Sequence, residues 1–291
     1  MINLLTFDIE DWYHPNLAVL DDSETAELES RVVEPTLRII NMLDQTKNKA
    51  TFFVLGQVAE KFPELLHEIT HHGHEVASHG YRHNLVYSYT KFQFETDLRR
   101  SVELLEGVTQ EPVMGYRAPS WSLGKDTPWA WEVLHAQGFQ YDSSLYPYRT
   151  FLYGDNTSPR FDYEIEIASG EGMKEIPPSA LEKFGKRWPF AGGFFLRVAP
   201  LWYVEMCIKD YNRFGKPAVI YLHPWEIDVE QPRLPLRLKD RFIMYANIRK
   251  TEKKLATLLE KYTFTSIRDY FSLGNGSRTR RSEEVANQEM S

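Results

Sequence analysis

The sequence has almost no cysteine and no long apolar segment. Cys207 is the single cysteine among 291 residues, so the chain cannot form an internal disulfide. This favours a reducing compartment or a fold that is indifferent to oxidation. No window approaches the run of about 18 apolar residues that would indicate a membrane-spanning helix. Residues 1–8 have no basic start and no cleavage site, so we expect no secretory signal and a cytoplasmic location.

The sequence also lacks an excess of positive charge. It has 34 basic and 41 acidic residues, and the net charge of −7 gives no electrostatic case for nucleic acid or an anionic membrane surface as partner. Apolar residues make up 42% and charged residues 26%, as in ordinary soluble folded proteins. Aromatic residues, at 14%, are plentiful. Because exposed rings stack on sugar faces, a carbohydrate site is a hypothesis worth testing.

Short apolar runs alternate with amphipathic segments through most of the chain. The runs predict strands at 2–8, 50–55, 74–78, 113–116, 139–141, 163–167, 174–177, 218–222 and 263–266. Between them the spacing predicts helices that include 30–46 with Ser30 as N-cap, 90–106 ended by Gly107, and 238–261. This alternation predicts an α/β fold with a mainly parallel sheet or barrel covered by helices.

The chain shows no linker that would divide it into two domains. We therefore predict one catalytic domain over residues 1–271. Residues 145–200 are rich in proline, glycine and aromatics, and we interpret them as an insertion over one rim of the sheet. Residues 272–291 have no apolar periodicity, so we predict a disordered C-terminal tail.

Polar side chains stand at the carboxyl ends of five predicted strands. They are Asp8, His79, Arg117, Asp142 and His223. In a parallel α/β fold these strand ends lie on one face, and that face carries the functional site. Five polar residues of complementary types at such ends are unlike a chance distribution, so we expect them to converge.

Two of these segments together predict a metal site. His79 and His83 are four residues apart, a spacing that lets two imidazoles bind one ion. The acidic segment 8–11 can add a carboxylate. Two histidines and one carboxylate leave coordination positions open for water, which is typical of catalytic rather than structural sites.

The other strand-end residues suit supporting or acid–base roles. Arg117 can clamp a carboxylate in a fixed geometry, although an ordinary surface salt bridge is the better explanation of this residue taken alone. Asp142 can be a turn or helix-cap residue. His223, with acids available to raise its pKa, is a candidate general acid.

These motifs, in this order, resemble the polysaccharide deacetylases, the NodB-homology carbohydrate esterases. The segments that carry the resemblance are 5–8, 75–83, 117–119 and 222–223, and their spacing covers roughly residues 1–270. Segments 7–12, 142–144, 175–179 and 223–226 are similar to a subgroup found with bacterial exopolysaccharide and exosortase systems. The resemblance implies a distorted barrel of the (β/α)7 type.

The resemblance also implies roles for the strand-end residues. It makes Asp8 the general base, His79 and His83 metal ligands, Arg117 the residue that holds Asp8, His223 the general acid, and Asp142 a residue that orients or tunes His223. The family pattern has two adjacent aspartates, whereas Ile9 follows Asp8 here, so the second acid is Glu10 or Asp11. Alternation along a strand puts Glu10 on the same side as Asp8 and favours it as metal ligand.

The implied reaction is the metal-dependent removal of N-acetyl groups from amino sugars of a bacterial polysaccharide or its precursor. Zinc is the expected divalent metal, with cobalt and nickel as alternatives, and an N-acetylated glycan is the expected partner. Trp121, Trp225, Trp188 and Tyr146 are candidates for lining a sugar cleft. Two other hypotheses remain: a hydrolase of the same fold acting on a cyclic ureide or small amide, and a carbohydrate-binding protein without activity.

Overall fold

The computed structural model describes residues 1–16, 25, 27–150, 153–167 and 170–272. Apart from Ser272, the predicted tail lies outside these residues. The described helices include none long and apolar enough to cross a membrane.

The described chain contains eleven strands, nine of which form one curled sheet. In chain order they are β1 (Ile2–Ile9), β2 (Thr51–Val54), β3 (Glu75–Ser78), β4 (Gly115–Tyr116), β5 (Tyr141–Asp142), β6 (Tyr163–Glu166), β7 (Gly172–Glu175), β8 (Ala180–Lys183), β9 (Lys186–Pro189), β10 (Val219–Leu222) and β11 (Thr263–Thr265). The order in the sheet is β10-β1-β2-β3-β4-β5-β7-β6, with β11 also paired to β1. Strands β8 and β9 form a separate antiparallel hairpin.

The sheet is parallel except for the pairing of β6 with β7. The outer edge of β10 is met by an irregular segment instead of a strand: the Ser179 amide donates to the Val219 carbonyl and the Tyr221 amide to the Ala191 carbonyl. The result is a distorted, incompletely closed barrel, and the predicted fold class is confirmed. All carboxyl ends of the parallel strands lie at one mouth.

The helices cover the outside of the sheet and bury their apolar sides against it. They are α1 (Val33–Gln45), α2 (Gly56–Lys61), α3 (Pro63–His71), α4 (Lys91–Thr109), α5 (Trp129–Ala136), α6 (Gly193–Val198), α7 (Leu201–Arg213), α8 (Leu238–Tyr245), α9 (Ile248–Lys261) and α10 (Ile267–Phe271). Helix α1, for example, buries Ile39, Ile40 and Leu43, which recur at helical spacing. Strand β1 is buried from Asn3 onward, because sheet neighbours and helices cover both its edges and its faces.

Four element predictions need correction. Helix α1 begins at Val33 and its N-cap is Val32, because the Ser30 hydroxyl is bonded to Asp11. Helix α4 continues through Gly107 to Thr109. The helix predicted at 238–261 is two helices, separated where Asn247 takes a left-handed φ of 58°. Residues 145–200 are more than a rim insertion, since they supply two strands of the main sheet.

Candidate active site

The structure brings most of the predicted site residues together at the mouth of the barrel. Asp8 lies near the end of β1 and Glu10 directly follows that strand, while His79 follows β3. Arg117 follows β4 and His223 follows β10. The sheet order places β10, β1, β2, β3 and β4 side by side, so the side chains from these ends point into one region.

Glu10, His79 and His83 form a cluster that can hold a metal ion. One ligand atom from each residue lies within 4.8 Å of the others. Glu10 Oε2 is 2.7 Å from His83 Nε2 and 3.9 Å from His79 Nε2. This oxygen is buried and has no assigned hydrogen-bond partner, although it faces the imidazole nitrogens. A buried orphan oxygen facing two nitrogens is the arrangement expected around a shared cation.

Supporting contacts fix the ligand atoms of the two histidines. His79 Nδ1 donates to the Arg117 carbonyl at 2.7 Å, which leaves the lone pair of Nε2 for the cluster. Burial lowers the pKa of His79 to about 4, so the ring is neutral at pH 7, as a metal ligand must be. The His83 ring stacks against His14, a residue that the sequence analysis did not single out. His14 is itself held by the Asp11 amide at 2.9 Å.

The cluster fits a divalent cation. Burial opposes the charge of Glu10, but the surrounding histidines outweigh it and hold the pKa of this carboxyl well below its usual range. One carboxylate and two imidazole rings are a donor set suited to zinc, cobalt or nickel. Three protein ligands would leave coordination positions for water on such an ion.

Asp11, the alternative metal ligand, lies outside this cluster. Its Oδ1 accepts from the Arg31 amide at 2.7 Å, and its Oδ2 accepts from the hydroxyls of Ser30 and Tyr13. Both oxygens are therefore occupied in holding the segment before α1. Glu10, which alternation along the strand favoured as the ligand, is the acid that lies in the cluster.

Asp8 is held by Arg117. Arg117 Nη1 donates to Asp8 Oδ1 at 2.7 Å and to the Thr6 hydroxyl at 2.8 Å. The guanidinium is wholly buried, and its other nitrogens donate to the Ser143 carbonyl and hydroxyl. Its central carbon lies 4.1 Å from the centre of the Phe53 ring. A planar cation fixed on every side orients the Asp8 carboxylate in one direction.

His223 lies beside the carboxylates of Asp8 and Glu10. Its Nε2 is 3.8 Å from Asp8 Oδ2 and 3.7 Å from Glu10 Oε1, and the side chain is 16% exposed. Its Nδ1 donates to Glu226 Oε2 at 2.8 Å, and Glu226 Oε1 accepts from Arg197 at 2.6 Å. Burial opposes protonation, but the nearby carboxylates outweigh it and raise the pKa of His223 to about 9. The imidazolium therefore presents Nε2–H to the cleft.

The predicted role of Asp142 beside His223 needs correction. Asp142 is the last residue of β5 and accepts hydrogen bonds from the Ser144 hydroxyl and from Trp131 Nε1 at 2.9 Å. Its other close neighbour is Glu175, a second buried acid. The residue that orients His223 is Glu226, three positions along the chain. The sequence shows the i,i+3 spacing of His223 and Glu226, but it did not lead to a predicted role for Glu226.

A wide cleft opens above these residues. Its volume is about 950 Å³ and it reaches from Asp8, Glu10, His79 and His223 to the loop around residue 155. Several aromatic side chains line its walls, among them Trp121, Tyr146, Tyr153, Tyr163, Phe194 and Trp225. Of the rings predicted to line it, Trp188 does not, because it lies on the β8–β9 hairpin. Most of these aromatic residues come from the second half of the chain.

Comparisons with known proteins define the class. Residues 4–141 match the polysaccharide deacetylase family, and residues 143–272 match a domain of unknown function, DUF3473. The first, slightly smaller half of the chain is therefore identified as a polysaccharide deacetylase region of the NodB kind, as the motifs predicted. The second match is consistent with the predicted exopolysaccharide-associated subgroup.

Individual relatives cover the chain to different extents. A peptidoglycan deacetylase from Helicobacter pylori is 36% identical over 134 residues, which are 44% of this chain and 44% of that protein. The chain spans less than half the length of the first curated relatives it matches. A Mycobacterium smegmatis protein assigned as a polysaccharide deacetylase shares the fold with a TM-score of 0.59 at 21% identity, over 90% of this chain and 85% of that one. PuuE allantoinase does so with a TM-score of 0.60 at 17% identity, over 94% and 90%.

Proposed function

We propose that this chain is a metal-dependent hydrolase that removes N-acetyl groups from amino sugars of a bacterial polysaccharide or its precursor. The observation that carries the proposal is the Glu10–His79–His83 cluster with the Arg117-bound Asp8 and the Glu226-bound His223 beside it. An amide is a poor electrophile and an amine a poor leaving group, so hydrolysis needs assistance for both the attacking water and the leaving nitrogen. The metal cluster and Asp8 would assist the attacking water, and His223 with Glu226 would assist the leaving nitrogen.

The cluster would hold the metal, and Asp8 would act on the attacking water. A divalent cation bound by Glu10, His79 and His83 supplies Lewis-acid chemistry to water and to the acetyl oxygen. Asp8 accepts the proton of the attacking water through Oδ2, since Oδ1 is occupied by Arg117. Because Arg117 cannot turn, that carboxylate needs no reorganisation during the reaction.

His223 would serve the leaving group. Glu226 binds Nδ1, so the proton on Nε2 faces the cleft and can be donated to the departing sugar nitrogen. Transfer of this proton separates a neutral amine from acetate. General acid assistance of this kind contributes roughly 10²–10⁴ in rate.

The shape of the cleft favours a glycan over a small amide or cyclic ureide. A volume of about 950 Å³ is at the upper end of the roughly 300–1,000 Å³ found for ligand pockets, far more than a single small ring would fill. Its walls are rich in aromatic rings, which suit sugar faces. The name of the Helicobacter pylori relative agrees with an N-acetylated glycan, whereas the likeness to an allantoinase concerns the fold alone.

The test is acetate release from N-acetylglucosamine oligomers of increasing length. The chain is stripped with a chelator and then reloaded with zinc, cobalt or nickel. We expect no acetate from the stripped chain, recovery with at least one metal, and no turnover in Asp8→Asn at full metal loading. Acetate release that is unaffected by chelation would contradict the proposal, and hydrolysis of allantoin or a small amide without any release from oligomers would favour the ureide hypothesis. Binding of oligomers without hydrolysis at full metal loading would favour the binding protein.

A further inference from the structure

One edge of the cleft carries a concentration of positive charge that the net charge of −7 conceals. Between residues 233 and 250 the chain has six basic residues and one acid, Asp240. The basic residues are Arg233, Arg237, Lys239, Arg241, Arg249 and Lys250. We call residues 233–250 the basic rim. It contains α8 and the start of α9, and Ile243 and Met244 from it line the cleft.

The basic rim also exposes two large apolar side chains. Leu238 is 86% exposed and Phe242 is 61% exposed. They are four residues apart on α8 and therefore lie on the same side of that helix. In the described part of the chain, no carboxylate forms an ion pair with Arg237 or Arg241, which flank them. The side of α8 that faces solvent is thus both cationic and apolar.

Helix α8 is held firmly in this orientation. The buried Arg197 guanidinium donates to the carbonyls of Ile243, Met244 and Ala246, at the C-terminal end of the helix. A cation at this end also complements the helix dipole. Leu238 and Phe242 are therefore exposed because the fold fixes them outward, and burying them against this chain would require breaking these bonds.

We propose that the basic rim docks on the surface of an anionic phospholipid bilayer. Lys and Arg beside exposed Leu and Phe on one helix are typical of segments that lie in a membrane interface, where the cations meet headgroup phosphates and the apolar side chains enter the acyl boundary. The net charge of −7 gives no electrostatic case for such a surface, but the local distribution of charge on the basic rim does. Docking would place the mouth of the cleft at the membrane, where lipid-linked glycans are found.

Two other occupants fit these observations less well. A soluble acidic glycan would satisfy the cations, but the aliphatic Leu238 offers no ring face for a sugar. A second copy of the chain in a twofold contact would bring the same six cations against themselves, which is repulsive. A bilayer is the occupant that uses both the charge and the apolar side chains.

The test is co-sedimentation of the full chain with vesicles, in the absence of any glycan, so the result does not depend on whether the chain is a hydrolase. We expect at least tenfold stronger binding to vesicles of equal parts phosphatidylglycerol and phosphatidylcholine than to phosphatidylcholine alone, weakened by salt. The double variant Arg237→Glu, Arg241→Glu should bind the anionic vesicles at least tenfold more weakly. Leu238→Ser with Phe242→Ser should also bind more weakly.

Matched controls alter other exposed positions. Lys209→Glu with Arg213→Glu makes the same charge change on α7, and Phe92→Ser removes an exposed ring from α4; both should bind as the unaltered chain does. Equal binding to neutral and anionic vesicles, or equal loss in the α7 control, would overturn the proposal. So would tighter binding to soluble polygalacturonate than to vesicles. A dimer in solution that dissociates in the Leu238→Ser, Phe242→Ser variant would instead assign the surface to a second copy.

Discussion

At the scale of single residues, two neighbouring acids have opposite surroundings: Glu10, one of the three candidate metal ligands, and Asp11. Glu10 has an orphan oxygen among imidazoles, while both oxygens of Asp11 are already bonded to Arg31, Ser30 and Tyr13. The Glu10 carboxylate is therefore available to a cation, whereas the Asp11 carboxylate fixes the backbone of the loop before α1.

This difference predicts opposite metal contents for two variants. His79→Ala should lose the metal, because a ligand is removed from a three-residue set. Asp11→Asn should keep it, because its contacts lie outside the cluster. Metal per chain is measured by atomic emission after dialysis. About one equivalent in His79→Ala, or none in a folded Asp11→Asn, would show that the ligands are assigned incorrectly.

His223 and Glu226 predict a dependence on the leaving group. His223→Ala should slow hydrolysis of an N-acetyl amide by roughly 10²–10⁴, and Glu226→Gln should slow it less, because the ring remains but is less firmly oriented. An activated acetyl ester needs no proton on its leaving group, so both variants should affect it little. The ratio of the two rates within one preparation is independent of the folded fraction, and equal losses on both substrates would contradict the acid role.

Much of the site could be predicted at this scale, and the exceptions have a common cause. Asp8, His79, Arg117 and His223 stand at strand ends, where topology alone dictates convergence. The partners of those residues are set by side-chain directions within loops, which periodicity does not describe. The prediction that Asp142 orients His223 was wrong because of this, since the Asp142 carboxylate accepts hydrogen bonds from Trp131 and Ser144.

At the scale of elements, two glycines occupy different positions relative to their helices. Gly138 directly follows the C-cap of α5 with a φ of 85°, a conformation that side chains rarely adopt. Gly107 lies within α4, exposed, with nothing within 4 Å of the place that a Cβ would take. Gly107 was predicted to end its helix, but only the backbone conformation distinguishes a glycine within a helix from one that follows it.

The two glycines therefore predict opposite effects of the same substitution. Gly107→Ala should raise the free energy of unfolding by about 0.5–1 kcal/mol, since alanine restricts the unfolded chain and suits a helix. Gly138→Ala should lower it by about 1–2 kcal/mol, the cost of a left-handed alanine. Urea unfolding followed by circular dichroism measures both. A destabilised Gly107→Ala would indicate that α4 ends where the sequence suggested.

The break between α8 and α9 also escaped the sequence analysis, and its physical reason is tertiary. The spacing of apolar residues is compatible with one helix over 238–261. Asn247 interrupts it by adopting a left-handed conformation, and its side chain donates to the Arg197 carbonyl. This contact with a residue fifty positions away stabilises the local conformation, and the apolar spacing around Asn247 does not reveal it.

At the scale of the whole molecule, two buried acids lie where the two matched regions of the chain meet. Asp142 ends β5, and Glu175 ends the neighbouring β7. Burial and the adjacent Asp142 raise the pKa of Glu175 well above its ordinary value of about 4.5, so the pair shares one proton. Glu175 also accepts from the Leu145 amide at 3.0 Å.

This pair predicts a pH-dependent stability. A carboxyl whose pKa is raised by folding contributes fully below its unfolded pKa and loses that contribution as the pH rises through its folded pKa. Glu175→Gln keeps the hydrogen bonds without an ionisable proton, so its stability relative to the unaltered chain should increase from pH 5 to pH 9. Urea midpoints measure this, with the exposed Glu166→Gln on β6 as control. A constant difference across that range would contradict the shared proton.

The order of strands has a consequence for anyone who wishes to dissect this protein. The region that carries the deacetylase match ends at residue 141, yet β1 gains one of its neighbours from β10, and the candidate acid His223 follows that late strand. Most of the aromatic residues that line the cleft also come from the later region. A fragment that ends at residue 141 would leave one edge of β1 unpaired and would lack His223. Domain grafting or swapping should therefore keep both regions together.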